Sequence, residues 1–150
     1  MDRAALDWAI AVGIAHGGWC PSGRTAQDGQ LPERYKLKET QSLGYSQRTR
    51  LNVRDADATL IIHHGPLVGG TRLTLRFADE MEKPVRLVDL SKEWPLQTIQ
   101  VQAWWTELDL HCLNMAGPSD NRVPGIYART LEFLQQLWPC KKKHCAALQI

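Results

Sequence analysis

Apolar residues along this chain recur at two spacings, one typical of helices and one typical of buried strands. We expect Asp2 to cap a helix that ends at Gly13. Within this helix, apolar residues recur at helical spacing: Ala5, Trp8, Ala9 and Val12. In contrast, Ala58 to His63 (ATLIIH) is a short continuous apolar run, which predicts a strand covered on both faces in a parallel sheet.

The alternation of strand and helix patterns continues towards the end of the chain. Further strands are predicted at Val85 to Asp89 and at Leu110 to Met115. Helices are predicted at Gly44 to Asp55, Thr71 to Glu82, Ile99 to Leu108, and Pro124 to Trp138. Strands that alternate with helices predict an α/β fold with a mainly parallel sheet and right-handed crossovers.

Residues 13–43 are predicted to be irregular, because glycine and proline interrupt them too often for a regular element. The interrupting residues are Gly17, Gly18, Pro21, Gly23, Gly29 and Pro32. A loop of this length within one domain usually carries function or additional surface. Several of its side chains are candidates for ligand contacts, although any long polar loop contains such residues: Trp19, Arg24, Asp28, Glu33, Lys36 and Glu39.

The composition narrows the class of protein without indicating its chemistry. With 150 residues, of which 43% are hydrophobic, the chain can bury a single core without disulfides or metals. A net charge of +2 does not indicate nucleic-acid binding, and no apolar run is long enough to span a membrane. A secretory signal is not expected either. Four unevenly spaced cysteines indicate free thiols and a cytoplasmic location: Cys20, Cys112, Cys140 and Cys145.

Two glycine-containing loops directly follow predicted strands. The first runs from His64 to Thr71 and the second from Asn114 to Ser119. Ligands of open parallel sheets bind beyond the carboxyl ends of the strands, where helix N-termini supply free N–H groups and positive dipole ends. The loops therefore predict a phosphate or nucleotide cradle, although a Gly-Gly turn is often only a tight connection. Neither loop has the Walker ending or the dinucleotide fingerprint, which disfavours ATP hydrolysis and hydride transfer.

The helix predicted after Gly44 carries a polar stripe. Its members stand at i, i+3, i+4 and i+7: Tyr45, Arg48, Thr49 and Asn52. If it faces inward, this stripe suits an anionic ligand that accepts hydrogen bonds. If it faces outward, it is an ordinary solvated helix face, and the sequence leaves both interpretations open.

Other reactive side chains are weaker candidates. Three potential metal ligands lie close together after the last helix: Cys140, His144 and Cys145. Three such residues in a Lys-rich segment do not make a structural zinc site. His63 and His64 stand at a strand end, where a half-buried packing role is commoner than ligation or catalysis. Cys20 has no identified base partner and is expected to be a packed thiol. We therefore predict no metal site and no catalytic residue.

Longer stretches of the sequence carry a family resemblance. DRAALD stands at residues 2–7, HGGWCPSGRTAQDGQLPERYKLKET at residues 16–40, and LNMAGP at residues 113–118. Single residues continue the match in order: Tyr45, Arg48, Thr49, Asn52, Val53, Asp57, Gly69, Gly70 and Thr71. GGWCPSGR with a downstream DG and LPERY is a specific signature. Over residues 2–138 the chain resembles the putative molybdenum carrier family.

The resemblance implies a Rossmann-like three-layer fold and a phosphorylated ligand. This family is similar to the circularly permuted branch of a Rossmann-like nucleotide-binding superfamily, which includes the lysine-decarboxylase-like, cytokinin-activating phosphoribohydrolases. The implied ligand is the molybdenum cofactor (molybdopterin), a pterin phosphate held at the glycine loops, and the implied assembly is a homo-oligomer, either a dimer or a tetramer. We therefore expect binding or carriage of this cofactor or of a similar phosphorylated pterin or nucleotide.

The expected binding residues form three groups. The first glycine loop and the helix after it are expected to hold the phosphate: Gly65, Gly69, Gly70, Thr71 and Thr74. The opposite wall is expected to contain Arg48, Asn52, Asn114 and Gly117. Asp2 and Arg3 are expected where a further loop of the family would meet the site.

The chain departs from the family pattern at both ends. Family members have a strand and a glycine loop, of the form SGGQTGADRAAL, before the first helix, whereas here Met1 directly precedes DRAALD. We interpret this as a start codon assigned too late or a truncated gene, and we expect an unpaired strand edge that promotes association. No family counterpart follows Pro139. The predicted division is a carrier domain at residues 1–139 and a basic tail at residues 140–150.

The residue at one position distinguishes a ligand carrier from an enzyme of the same superfamily. The phosphoribohydrolases have a Gly-Gly-x-Gly-Thr-x-x-Glu loop whose Glu takes part in catalysis, whereas here Gly69-Gly70-Thr71 leads to Thr74. A threonine hydroxyl binds an oxyanion but is not a general base near neutral pH. A non-catalytic binding protein is therefore favoured. The alternative is a nucleotide or nucleoside-phosphate hydrolase that uses Asp28 or Glu33 for acid/base chemistry, and a remnant that folds without binding is the third possibility.

Overall fold

The chain folds as an α/β structure in which helices surround a parallel sheet. The computed structural model describes residues 1–26, 29–138 and 147–150. The helices of this part of the chain are α1 (Asp2–Val12), α2 (Tyr45–Asp55), α3 (Gly69–Glu80), α4 (Trp94–Leu108) and α5 (Ile126–Leu137). Its strands are β1 (His16–Gly17), β2 (Trp19–Cys20), β3 (Thr25–Ala26), β4 (Gly29–Gln30), β5 (Lys38–Glu39), β6 (Ala58–His63), β7 (Val85–Asp89), β8 (Cys112–Ala116) and β9 (Ala147–Gln149).

A five-stranded sheet forms the middle layer. Its order is β1-β9-β8-β6-β7, and every pair of neighbours is parallel. In this register Leu60 of β6 lies opposite Met115 of β8, and Ile61 of β6 lies opposite Leu87 of β7. All residues of β6 except His63 are buried, as predicted for a strand covered on both faces.

Two groups of helices form the outer layers. Helices α1 and α4 both contact α5, whereas α2 packs against α3. The main hydrophobic core joins the first group to the sheet and includes Trp8, Leu113 and Phe133, and a smaller cluster joins Val53 of α2 to Phe77 of α3. The three-layer Rossmann-like arrangement is therefore confirmed. Within the described residues, no helix combines the length and the apolar character needed to cross a bilayer.

Some helix boundaries differ from the prediction. Helix α4 begins at Trp94 rather than at Ile99, and Pro95 stands in its first turn, where a missing N–H sacrifices no helical hydrogen bond. Helix α1 has Met1 as its N-cap residue, so the expected capping role of Asp2 is wrong. The same helix ends as expected at Gly13, whose left-handed conformation (φ 75°) favours glycine.

The described part of residues 13–43 is largely irregular, as predicted, and its strands are only two residues long. Strand β1 joins the edge of the central sheet, β2 pairs with β5, and β3 pairs with β4. Asp28 lies outside the described residues. The segment is therefore a folded loop that is tied to the sheet at one edge.

Strand β9 occupies an inner position of the sheet. It lies between β1 and β8, and Leu148, which is fully buried, stands opposite Leu113 and His16. Residues 147–149 therefore form part of the sheet, which differs from the expected basic tail over 140–150. Because β8 is paired with both β6 and β9, the described part of the sheet has no open edge at β8. Cys140, His144 and Cys145 lie outside the described residues.

Candidate functional site

A cavity of about 320 Å³ opens beyond the carboxyl ends of the parallel strands. Asn114 and Gly117 line it from the end of β8 and the loop that follows, and Ile150 lines it after β9. Gly70 and Thr71 line it from the start of α3. The structure therefore brings the two glycine loops together at the edge of the sheet where ligands of this fold class bind.

Three helices begin at this cavity. Their first turns contribute Asp2 and Arg3 from α1, Tyr45 from α2, and Gly70 and Thr71 from α3. No described side chain caps any of these three N-termini with a hydrogen bond. Uncapped helix N-termini present backbone N–H groups and the positive end of the helix dipole. The cavity is therefore suited to a negatively charged group.

The polar stripe of α2 faces the cavity. All of its members line the cavity: Tyr45, Arg48, Thr49 and Asn52. The amide of Asn52 is already engaged, because its oxygen accepts from the Trp19 N–H (2.7 Å) and its nitrogen donates to the Trp19 carbonyl (3.1 Å). Arg48 Nη1 donates to the Asp2 carboxylate (3.1 Å), while the buried Arg48 Nε has no partner among the described residues. Arg48 therefore remains a candidate for ligand contact, whereas Asn52 mainly holds the long loop against α2.

The glycines of the first loop have different roles. Gly65 and Gly69 have φ values of 73° and 55°, in the left-handed region that favours glycine. Neither lines the cavity, and the Arg122 guanidinium occupies the space that a Cβ on Gly69 would need. Gly70 does line the cavity, and apart from its chain neighbours and the backbone of α3 no described heavy atom lies within 4 Å of the position of its missing Cβ. Gly65 and Gly69 therefore shape the turn, and Gly70 exposes its backbone to the cavity.

The second glycine loop is tightly packed against β6. A Cβ on Gly117 would collide with the carbonyl oxygen of Ile62, so close approach of the backbone requires glycine here. Asn114 is only 2% exposed and donates from Nδ2 to Thr59 Oγ1 (3.2 Å). The Ser119 hydroxyl also lines the cavity and is buried without a partner among the described residues. This wall thus combines a close backbone contact with polar groups that have spare hydrogen-bonding capacity.

Two buried threonines of α3 line the cavity. The Thr74 hydroxyl donates to the Gly70 carbonyl (3.0 Å), one helical turn earlier. Thr71 is 6% exposed, and its hydroxyl forms no hydrogen bond within the described residues. Unlike the Ser119 hydroxyl, the Thr71 hydroxyl keeps some accessible surface, so it reaches the open space of the cavity. Thr71 is therefore available to an oxygen atom of a ligand.

Comparison with known proteins places this geometry in a family. Residues 1–138 match the sequence pattern of the circularly permutated YpsA SLOG family. The chain belongs to this family. It is also similar to a solved structure described as a putative molybdenum carrier protein from Syntrophus aciditrophicus SB, with 42% sequence identity and a TM-score of 0.88. That match covers 91% of this chain and 87% of the other, which confirms the resemblance found in the sequence. No curated protein matches the chain.

In this member of the circularly permutated YpsA SLOG family, the long loop forms one wall of the cavity. The loop contributes Cys20, Pro21, Ala26, Leu31 and Leu37 to the lining. The Arg24 guanidinium holds the loop together by donating to four backbone carbonyls, with N to O distances of 2.8–3.3 Å. These carbonyls belong to Leu31, Pro32, Tyr35 and Leu37. Arg24 therefore stabilises the wall without lining the cavity itself.

Replacing Arg24 with lysine should lower the free energy of unfolding by about 2 kcal/mol, because a lysine cannot reproduce the planar fork that serves four acceptors. Urea denaturation followed by circular dichroism measures this difference. Arg76→Lys is the matched control, since the Arg76 side chain is 65% exposed and should tolerate the change within about 0.5 kcal/mol. Equal, small effects in both variants would contradict the role assigned to Arg24.

A carboxylate of α1 links the loop to α5 in this SLOG-family chain. Asp7 Oδ1 accepts from the Tyr35 hydroxyl (2.8 Å) and from Arg34 Nη2 (2.8 Å), and Asp7 Oδ2 accepts from the Tyr127 hydroxyl (2.8 Å). Tyr127 lines the cavity. Burial, together with the hydrogen bond to Asp7, raises the pKa of Tyr127 to about 12. The phenol is therefore kept neutral in the folded protein.

The folded state should lose stability at high pH, where the Tyr127 hydroxyl ionises. Its pKa in the folded state, about 12, lies above the ordinary value of 10.0, so its contribution is complete below about pH 10 and is lost towards pH 12. Tyr127→Phe should cost about 1 kcal/mol at pH 8 and flatten the decline above pH 10. Urea midpoints measured from pH 8 to pH 11 test this expectation. Tyr45→Phe, at an exposed position, is the control and should retain the decline.

Arg122 and Tyr127 are among the side chains that line the cavity and that the sequence did not predict. Arg122 follows the second glycine loop by a few residues, and a cation so close to a strand-end loop was an available signal. Glu33, a proposed acid/base group, does not line the cavity. Burial raises the pKa of the Cys20 thiol above its ordinary value, which fits the packed thiol that was predicted.

Proposed function

We propose that this protein binds a small phosphorylated ligand and carries it without converting it. The proposed ligand is the molybdenum cofactor or a similar pterin or nucleotide phosphate. The observation that supports this most directly is that Gly70 and Gly117 line the same cavity. Both follow parallel strands, and Gly70 stands in the first turn of an uncapped helix. Backbone amides in this arrangement suit a phosphate group.

The charges around the cavity favour an anion. Among the described residues that line it, three are arginines and two are aspartates: Arg3, Arg48, Arg122, Asp2 and Asp120. Both aspartates already accept hydrogen bonds, Asp2 from Arg48 Nη1 (3.1 Å) and Asp120 from the Tyr127 N–H (3.0 Å). Their negative charge is thus partly compensated before a ligand arrives. Helix N-termini add further positive potential.

The size and lining of the cavity suit a phosphorylated ring compound. Its volume of about 320 Å³ lies at the lower end of the range for small-molecule sites, roughly 300–1,000 Å³. Apolar side chains of Leu31, Leu37, Val68 and Leu73 line part of it and suit the faces of a heterocycle. The similar structure from Syntrophus aciditrophicus is described as a putative molybdenum carrier, which supports the choice of ligand class.

Among the described residues, the side chains that line the cavity favour carriage over hydrolysis. At the position of the catalytic glutamate of the phosphoribohydrolases stands Thr74, whose hydroxyl donates to the Gly70 carbonyl. The carboxylates that line the cavity within the described residues, Asp2 and Asp120, are engaged by Arg48 and by the Tyr127 amide. A threonine hydroxyl is not a general base near neutral pH, so the residue at the position of the glutamate favours carriage.

Thermal unfolding with and without ligand tests the proposal. Molybdopterin or a pterin phosphate at 100 times its dissociation constant should stabilise the folded state by about 2.7 kcal/mol, which corresponds to a rise in Tm of roughly 5–10 °C. Chromatography of the same mixtures should show unchanged ligand. Release of free base from a nucleoside monophosphate would instead support the hydrolase, and neither stabilisation nor turnover would support a remnant.

We also propose that the protein is a cytoplasmic homo-oligomer, as the family resemblance implies. Strand β7 forms one edge of the described sheet and its Leu87 is 43% exposed, so this edge is available for pairing with a second copy. Light scattering coupled to size-exclusion chromatography should give the mass of a dimer or a tetramer. A monomer at micromolar concentration would contradict this part of the proposal.

A further inference from the structure

A second cavity adjoins the first at the N-terminus of α3. It also measures about 320 Å³, and its own lining includes His63, His64 and Val123. Four residues line both cavities: Val68, Thr71, Pro118 and Arg122. The two spaces are therefore neighbours that share a common boundary, and the polar members of that boundary are Thr71 and Arg122.

Arg122 is the cation at this boundary. Its side chain is exposed, and its guanidinium forms no ion pair or hydrogen bond within the described residues. The guanidinium lies against the backbone of Gly69, in the first turn of α3. A positive charge next to the positive end of a helix dipole is unfavourable by itself. An anion bound beside the Arg122 guanidinium and the N-terminus of α3 would be attracted by both and would offset their mutual repulsion.

Thr71 supplies an independent sign of a ligand at the same place. It is 6% exposed, its hydroxyl has no hydrogen-bond partner among the described residues, and it lines both cavities. Because Thr71 and Arg122 line both cavities, an anionic group at the near end of either cavity would contact the same two side chains. Two groups that contact the same two side chains can be joined through a single bridging oxygen.

His63, which lines the second cavity, also holds the loop beside it in place. Its Nδ1 lies 2.7 Å from the Gly65 carbonyl oxygen, and since a carbonyl only accepts, Nδ1 carries the proton and donates. The Asp89 carboxylate accepts from the Gly65 N–H (3.4 Å) and from the Ser91 hydroxyl (2.8 Å). The side chains of His63 and Asp89 thus hold the loop between β6 and α3, whereas Arg122 has no polar partner in the described part of the chain.

We propose that the two cavities form one bipartite site for a ligand with two adjacent anionic groups, namely a diphosphate, both of whose groups contact Arg122 and Thr71. This inference rests on the proposed function, since it assumes that the first cavity binds phosphate. It goes further by specifying a diphosphate rather than a monophosphate as the preferred ligand. Charge-assisted hydrogen bonds from an arginine fork to a second phosphate supply the added affinity.

Isothermal titration calorimetry with inorganic phosphate and inorganic pyrophosphate, at constant ionic strength, tests the inference. Pyrophosphate should bind the unmodified protein at least about tenfold more tightly than phosphate. Arg122→Gln and His64→Glu should each lower this preference to less than about threefold, because the first removes the cation and the second adds a negative charge to the second cavity. His111→Glu, an exposed histidine outside both cavities, should keep the preference.

The outcomes separate the inference from the function on which it rests. Phosphate binding without a preference for pyrophosphate overturns the bipartite site and leaves the proposed function intact. A preference that survives both Arg122→Gln and His64→Glu also overturns it, because the second phosphate would then bind elsewhere. Absence of binding for both anions and for a pterin phosphate overturns the proposed function itself. Circular dichroism spectra of each variant confirm that the fold is retained.

Discussion

Gly70→Asp should weaken binding of inorganic phosphate, or of a pterin phosphate, by roughly 100-fold or more. The new carboxylate would stand in the first turn of α3, where Gly70 lines the cavity and exposes its backbone. Apart from its chain neighbours and the backbone of α3, no described heavy atom lies within 4 Å of the new Cβ, so the folded state should accommodate the side chain. The loss would therefore come from charge repulsion and from blocked access to the amides. Titration calorimetry measures it.

Leu96→Asp is the matched control for this variant. Leu96 stands in the first turn of α4, is 59% exposed and lines neither cavity. The same charge is thus added at another helix N-terminus, and phosphate affinity should stay within about twofold of the unmodified protein. Unchanged affinity in Gly70→Asp would mean that the ligand does not bind at the start of α3.

Leu148→Ala should lower the free energy of unfolding by about 2–5 kcal/mol. The side chain is fully buried in β9, between β1 and β8, and belongs to the main hydrophobic core. Truncation removes apolar contacts and leaves a cavity that the neighbouring strands cannot close without moving. Urea denaturation followed by far-ultraviolet circular dichroism gives the change directly.

Leu96→Ala is the control that truncates a leucine at an exposed position. This side chain is largely exposed, so its truncation should change stability by less than about 0.5 kcal/mol. If Leu148→Ala had an equally small effect, residues 147–149 would behave as a solvent-exposed tail, and the position of β9 in the sheet would be wrong.

The elements predicted correctly from the sequence are those whose signal is local. Strand β6 is a continuous apolar run, and its boundaries match the prediction because five buried residues in succession identify a strand covered on both faces. Strand β9 gave no such signal, since three residues are too few for a periodic pattern. Its place in the sheet depends on pairing with β1 and β8, which are distant in sequence. Contacts of that kind cannot be derived from local spacing.

The candidate site was predictable only in part for the same reason. Glycine spacing located the loop before α3 but did not distinguish Gly70, which lines the cavity, from Gly65 and Gly69, which shape the turn. The stripe on α2 was found from helical periodicity, yet the engagement of Asn52 by the Trp19 backbone depends on the folded loop. Arg122 was missed because its approach to Gly69 is a tertiary contact.

The distribution of indole rings has a practical consequence for these measurements. Trp8, Trp105 and Trp138 form an aromatic cluster against the core, in which the Trp138 ring lies 5.3 Å from Trp8 in a tilted arrangement and 4.9 Å from Trp105 edge to face. Trp19, in contrast, lines the first cavity, and its indole N–H donates to Asp55 (2.8 Å). Ligand occupancy should therefore perturb the fluorescence of this one ring while the core emission stays constant. Trp19→Phe should abolish the optical response, which makes intrinsic fluorescence a label-free readout of the site.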